Sequence, residues 1–325
     1  MSNPGFGPAL RQALAVALVS TLMLPACGGG GSSSQPTAQT SPPPITSVSI
    51  PVQRDDGWVP ASLAEVGMAE QPLVDALNAI ERGTYNEIHG LVIIKNGKLV
   101  LESYGRGRMY DGSDDMFTPV MDFNRDTLHI VHSVSKSFMS TLAGLAIRDG
   151  FIASVNQSVL DFFPEHAGLF DITKQGIQLR HMMSMSSGLD WNEWDVPAMD
   201  FENNDAIRYQ NAPDPSVYFF SKNLVHEPGS TFYYNTAGFQ MMGEVIRRAT
   251  GMHLDDYANQ VLFQPLGIER FEWLQHPHGT MYIVVDILLR PRDMATFGQQ
   301  FLQDGQLSGQ QVFPAHWLQL AAAES

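Results

Sequence analysis

Cysteine is all but missing from this chain: Cys27 stands alone among 325 residues. No intrachain disulfide can form, and a cysteine-rich zinc module is excluded. Positive charge is scarce as well, with 19 lysines and arginines against 34 aspartates and glutamates, a formal net charge of −15. That balance cannot neutralise a row of phosphates, so nucleic acid is excluded as a partner. Long apolar runs are wanting. The run from Ala13 to Leu24 falls well short of the roughly 20 residues that a bilayer-spanning helix requires. There is no internal repeat and no G-x-S-x-G elbow of the α/β-hydrolase kind. A zinc helix of the H-E-x-x-H type is broken where His226-Glu227 meets Pro228-Gly229, and His129 and His132 have no third ligand nearby in sequence. Neither a metal nor a cofactor is expected.

What is present is a globular composition, 44% hydrophobic and 16% charged, behind an unusual N-terminus. Arg11 is the sole charge before a short apolar core that ends in Leu24-Pro25-Ala26-Cys27. A basic start, a short apolar stretch and a small residue at the cut are the pattern of a secretory signal peptide over residues 1–27. Residues 28–57 then run through Gly, Ser, Thr, Gln and Pro, with no charge until Arg54. Such a segment cannot bury a core and reads as a flexible tether. Residues 58–325 read as the folded domain.

That domain opens helix, strand, strand. Leu73, Leu77 and Ile80 recur at helical spacing within 72–82, and Gly83 is placed to stop the helix. Two apolar, β-rich stretches, 88–95 and 98–104, flank Asn96-Gly97, a dipeptide suited to a tight turn in which both residues take positive φ. Phe138, Leu142, Leu145 and Ala146 mark a second helix over 134–149, with Gly150 as its stop. Further helices are predicted over 177–185 and 238–250. Strands first and a helical middle afterwards point to a mixed α/β (α+β) fold, with a helical lobe beside a sheet.

Two motifs carry chemistry. Ser133-Val134-Ser135-Lys136 lies where a loop enters the second helix. A serine there has a free backbone N–H where an oxyanion can sit, favoured by the helix dipole. Lys136 at i+3 shares its face and is a candidate general base. By itself an S-x-x-K is more often an N-cap followed by an exposed lysine. The second motif, Tyr233-Tyr234-Asn235, precedes another helix. In an extended segment residues two apart point the same way, so Tyr233 and Asn235 can address one site, although an aromatic core pair is the plainer alternative. Asp190, Glu193, Asp195 and Asp200 read as a solvated acidic loop, with the wall of a cleft as the alternative.

Both motifs in this order resemble those of the serine β-lactamase and penicillin-binding protein superfamily, which includes class C β-lactamases, D-alanyl-D-alanine carboxypeptidases and esterases. Connecting phrases extend the likeness: Ile177-Gln178-Leu179-Arg180-His181, Ser186-Ser187-Gly188-Leu189-Asp190-Trp191, Glu227-Pro228-Gly229 and Arg292-Asp293-Met294. Together they cover about residues 72–318. The Ser-Gly-Leu-Asp-Trp-Asn-Glu stretch is most similar to the branch of 6-aminohexanoate-dimer hydrolases. Leu24 to Cys27 resembles a bacterial lipobox, which implies an acylated Cys27, export to the cell envelope and a lipid anchor in the membrane.

The resemblance implies that Ser133 attacks the carbonyl of a small ester or amide and that Lys136, with Tyr233, relays the proton. It implies that Asn235 orients Lys136 and substrate, and that the Ser133 N–H is half of an oxyanion hole. It implies a β-lactamase/transpeptidase-like fold, an antiparallel sheet flanked by helices. The superfamily's third motif, a Lys-Thr-Gly or looser form on a late strand, is not found; His276-Pro277-His278-Gly279 reads as a loop. The closing strands are therefore expected to be missing, the domain incomplete at its C-terminus, and the chain alone poorly stable and poorly active. The alternative from another class is a lipoprotein that keeps the fold, has lost catalysis and binds a ligand or partner.

Overall fold

The computed structural model describes residues 43–110, 117–197, 200–278, 281–307 and 309–322, with backbone alone at 275–278, 281–285 and 322. The stretch expected as a signal peptide, Cys27 and the expected tether as far as residue 42 lie outside the described residues. The stretch expected as one domain groups into two compact units. The smaller runs to Met109 and adds Thr118–Thr127; the larger holds Tyr110, Phe117 and everything from Leu128.

In the smaller unit, β1 (Val59–Pro60) pairs parallel with β3 (Lys98–Tyr104), which pairs antiparallel with β2 (Gly90–Lys95). The predicted hairpin thus gains a third strand, of two residues, that sequence reading did not supply. Asn96 and Gly97 take φ of 53° and 73°, as a two-residue turn between right-twisted strands demands. Helix α1 (Gln71–Glu81) carries Pro72 in its first turn and buries Val74 and Leu77. Ala61, Leu63, Val66 and Val100 form the core of this unit. A short pair, β4 (Arg106–Gly107) with β5 (Met121–Asp122), completes it.

The larger unit is mainly helical. A sheet in the order β6 (His129–Ile130), β8 (Met281–Leu289), β7 (Glu272–His278) is antiparallel throughout. The segment His276 to His278, expected as loop, is therefore the end of a strand. Its register with Met281 to Ile283 supplies the hydrogen bonds that an isolated His-Pro-His does not advertise. Helix α2 (Ser135–Arg148) follows β6 after one short turn and buries Phe138, Met139, Leu142 and Leu145. Then come α3 (Leu179–Met183), α4 (Asp205–Asn211), α5 (Pro215–Ser221) and α6 (Thr236–Thr250). Next are α7 (Leu254–Ala258), α8 (Pro291–Leu302), the pair β9 (Gln306–Leu307) and β10 (Gln310–Gln311), and α9 (Ala315–Ala322).

Helices α2 and α6 pack against each other and share a core with Met241, Met242 and Val245 of α6. Phe138 stacks on Phe297 of α8 with ring centroids 3.7 Å apart. At Gly144 of α2 a Cβ would stand 2.5 Å from the Trp317 ring, so the absence of a side chain lets α9 lie directly on α2. None of the described helices is long and apolar enough to cross a membrane. Helices with small antiparallel sheets make this the mixed α/β architecture that the sequence led us to expect.

Candidate functional site

Ser133 sits in the middle of a single 3₁₀ turn, His132–Val134, between the end of β6 and the first residue of α2. Its side chain is exposed, while Phe138 and Met139 bury the helix that carries it. Lys136, in the first turn of α2, is half-buried, and its Nζ donates to Ser133 Oγ at 3.0 Å. The i, i+3 spacing by itself brings these two groups onto one face.

The phenol at Ser133 is that of Tyr234, with its hydroxyl 2.7 Å from Oγ. Lys136 Nζ also lies 5.0 Å from the Tyr234 ring centroid. Tyr233, the tyrosine expected here, is engaged elsewhere: its hydroxyl donates to Asp195 Oδ2 at 2.6 Å, with Asn192 Oδ1 3.5 Å away. Burial, then the bond to Asp195 and the surrounding carboxylates, push the Tyr233 phenol up to about 12. A phenol held in its protonated form that way is poorly suited to a phenolate relay. Asn235, buried, turns its Oδ1 to the Gly238 N–H at 2.9 Å and so caps α6. The structure thus brings Ser133 and Lys136 together as expected, and puts Tyr234 where Tyr233 was expected.

Long-range backbone bonds decide which tyrosine faces inward. The Tyr233 N–H donates to the Met185 carbonyl at 2.9 Å, and the Gly229 N–H to that of Ser186 at 2.7 Å. These lay the segment before α6 across the loop that follows α3. That loop is itself held where Gly188, at φ 77°, receives Val225 N–H at 2.8 Å. A Cβ on Gly188 would stand 2.1 Å from the His226 carbonyl oxygen, so only glycine fits.

The acidic stretch is not a uniformly solvated loop. Glu193 is buried and accepts from Trp191 Nε1 at 2.8 Å, Thr236 N at 3.0 Å and Thr236 Oγ1 at 2.8 Å. Burial pushes its carboxyl above the usual range, against those hydrogen bonds and the nearby Lys136 charge. It ties the loop to the start of α6, directly behind Tyr234. Asp190 remains exposed, and Asp200 closes its own turn through Asn203 and Glu202. Trp194 stands edge-on to Tyr234 with ring centroids 5.4 Å apart, and is exposed. Nothing in the local sequence pattern separates Glu193 from its solvated neighbours; only the fold over it does.

Lys136 and Tyr234 open onto a cavity of about 1040 Å³. Met183, Met185, Phe232, Phe239 and Trp317 form its apolar walls, and Ser140, Ser184 and Ser186 are among its polar groups. A mostly apolar cleft with convergent polar groups at one end is the form a small-molecule site takes. Among the described residues no group of three His, Cys, Asp or Glu is placed to hold a metal ion.

Comparison with known proteins places the chain. The chain is 25% identical over 272 residues to the 6-aminohexanoate-dimer hydrolase of Paenarthrobacter ureafaciens, a match covering 81% of this chain and 64% of that protein. It spans 54% and 46% of the length of two further curated relatives. Among solved structures, the octameric penicillin-binding protein homologue of Pyrococcus abyssi superposes with a TM-score of 0.55 at 15% identity, covering 77% of this chain and 59% of that one. Simvastatin synthase of Aspergillus terreus gives 0.55 at 17% identity over 78% of this chain and 72% of its own. These likenesses are of fold. The family model described as Beta-lactamase matches residues 77–315, a stretch that includes Ser133, Lys136, the tyrosine pair and the loop behind them, and the chain belongs to that family.

Proposed function

We propose that this protein is a serine hydrolase that cleaves an ester or amide through an acyl-enzyme on Ser133. The observation that carries the reading is the contact of one exposed serine hydroxyl with both an amine, at 3.0 Å, and a phenol, at 2.7 Å. In its free-base form the Lys136 amine accepts the Ser133 proton as Oγ bonds to the substrate carbonyl carbon. The carbonyl electron pair moves to oxygen, and the Ser133 N–H at the mouth of α2 faces that charge. When the intermediate collapses, the bond to the leaving alcohol or amine breaks. Tyr234 gives that group its proton and is reprotonated from Lys136. Water then attacks the acyl carbon by the same relay in reverse and frees Ser133. Asn235 serves here by capping the helix behind Tyr234.

The membership of the family and the 6-aminohexanoate-dimer hydrolase relative support an acyl-transfer reaction on a small amide or ester. The test is turnover of p-nitrophenyl esters and anilides alongside fluorophosphonate labelling, with the adduct located by peptide mass spectrometry. An adduct on Ser133 with measurable turnover is expected. Tight ligand binding with neither adduct nor turnover would favour the alternative, a binding protein on the same fold.

We further propose, from Leu24-Pro25-Ala26-Cys27 and the polar tether, that the mature protein is exported and anchored by acylation of Cys27. Labelled palmitate should enter the wild-type chain and not the Cys27→Ala variant. Equal incorporation in both would exclude the anchor.

A further inference from the structure

Asp286 is completely buried, on β8, opposite the turn that carries Ser133. A carboxylate taken out of water needs partners, and those of Asp286 are specific. Its Oδ1 accepts the Ser135 hydroxyl at 2.7 Å and the Ile287 N–H at 3.3 Å. Its Oδ2 makes no hydrogen bond but lies 3.3 Å from Nδ1 of His132. The two side chains it addresses bracket Ser133, one directly before it and the other two residues after.

The backbone around them is strapped to the same strand. His129 and Ile130 pair with Leu289 and Leu288, and the Val131 N–H donates to the Ile287 carbonyl at 3.0 Å. The Ile287 N–H reaches Ser135 Oγ at 3.2 Å. Strand pairing therefore ends at Val131, and the chain then turns sharply. His132 adopts φ of 45°, a left-handed conformation that a histidine keeps only when its surroundings hold it. The side chain that faces His132 from β8 is that of Asp286.

We infer that Asp286 is a positioning residue for the nucleophile: it holds His132 in the left-handed turn and pins Ser135, so that Ser133 Oγ stands between Lys136 and Tyr234. The inference rests on the reading of Ser133 as nucleophile. It accounts for a buried carboxylate that the hydrolytic relay does not use. Asp286 acts at one remove, through its two neighbours of Ser133.

Three variants of the full chain, Asp286→Asn, Ser135→Ala and His132→Gly, test it, with Ser133→Ala as reference. Asp286→Asn keeps the side-chain volume and removes the charge that faces His132. A nucleophile displaced by about 1 Å loses roughly 10²-fold in rate, so kcat and the fluorophosphonate labelling rate should fall by about that factor. KM should stay within about twofold, because the cleft walls are untouched. Ser135→Ala deletes one hydroxyl and should slow labelling about tenfold with a cooperative melt retained. Glycine accepts positive φ without strain, so Asp286→Asn added to His132→Gly should cost much less than it does alone. Wild-type labelling rates in both Asp286→Asn and Ser135→Ala would overturn the inference. So would a loss of activity in which kcat and KM change together with a lost melting transition in both variants, since that is the mark of a merely structural role. If Ser133→Ala itself still labels, the nucleophile reading fails and takes this one with it. If Ser133→Ala is silent while Asp286→Asn and Ser135→Ala label normally, the positioning role alone is wrong.

Discussion

Ser133→Ala is expected to erase acyl-enzyme formation and to lower kcat by roughly 10⁶-fold, the scale seen when the nucleophile of a serine relay is removed. The effect is large because Ser133 is the serine whose hydroxyl meets both Lys136 and Tyr234. The neighbouring Ser135 hydroxyl is buried and bonded to Asp286. Lys136→Ala should be nearly as damaging, since its amine is the basic nitrogen 3.0 Å from the attacking oxygen. The double variant should be little worse than either single one. Groups that work as one relay give losses that do not add, so removing the second costs little once the first is gone. Pre-steady-state release of p-nitrophenol measures this directly. A wild-type burst from Ser133→Ala would end the assignment.

The second large effect separates two adjacent tyrosines. Tyr234→Phe should lower kcat by about 10²–10⁴, the usual contribution of a positioned acid or base. Tyr233→Phe should stay within about tenfold of wild type. Only Tyr234 has its hydroxyl 2.7 Å from Ser133 Oγ; the Tyr233 hydroxyl donates its hydrogen bond to Asp195 instead. The phenol of Tyr233, pushed up to about 12 by burial and by Asp195, is held as a donor. Asp195→Asn should leave turnover close to wild type for the same reason. Parallel kcat measurements on the two phenylalanine variants decide the matter. The reverse ranking, with Tyr233→Phe the crippled enzyme, would return the role to the residue that the sequence motif first indicates.

Those tyrosines also mark where sequence reading stops. The 3.6-residue spacing of Phe138, Leu142 and Leu145, with a glycine after the helix, led to α2 within one or two residues at each end. Asn96-Gly97 led to the β2–β3 turn. Ser133 and Lys136 were legible for the same reason: residues three apart at a helix start share a face whatever surrounds them. In each case the determining interactions lie within a few residues, so the local pattern records them.

Tyr234, Glu193 and Asp286 were not legible, because what orients them is distant in the chain. The segment before α6 is irregular. Its facing depends on bonds from Tyr233 to Met185 and from Gly229 to Ser186, more than forty residues away. Alternation says that Tyr233 and Asn235 share a side; it cannot say that Tyr234 is the one turned toward Ser133. Glu193 sits among exposed acids in the sequence and is buried only because Thr236 and Trp191 close over it. His276 to His278 became a strand through pairing with Met281 to Ile283, and β8, through β6, brought Asp286 beside Ser135, 151 positions earlier. By itself the sequence determined four of the helices, the hairpin and the serine–lysine pair, all products of short-range geometry. The tertiary structure alone decided which phenol, which buried carboxylate and which strand complete the site, because hydrogen bonds and burial between remote segments choose among orientations that the local backbone allows equally.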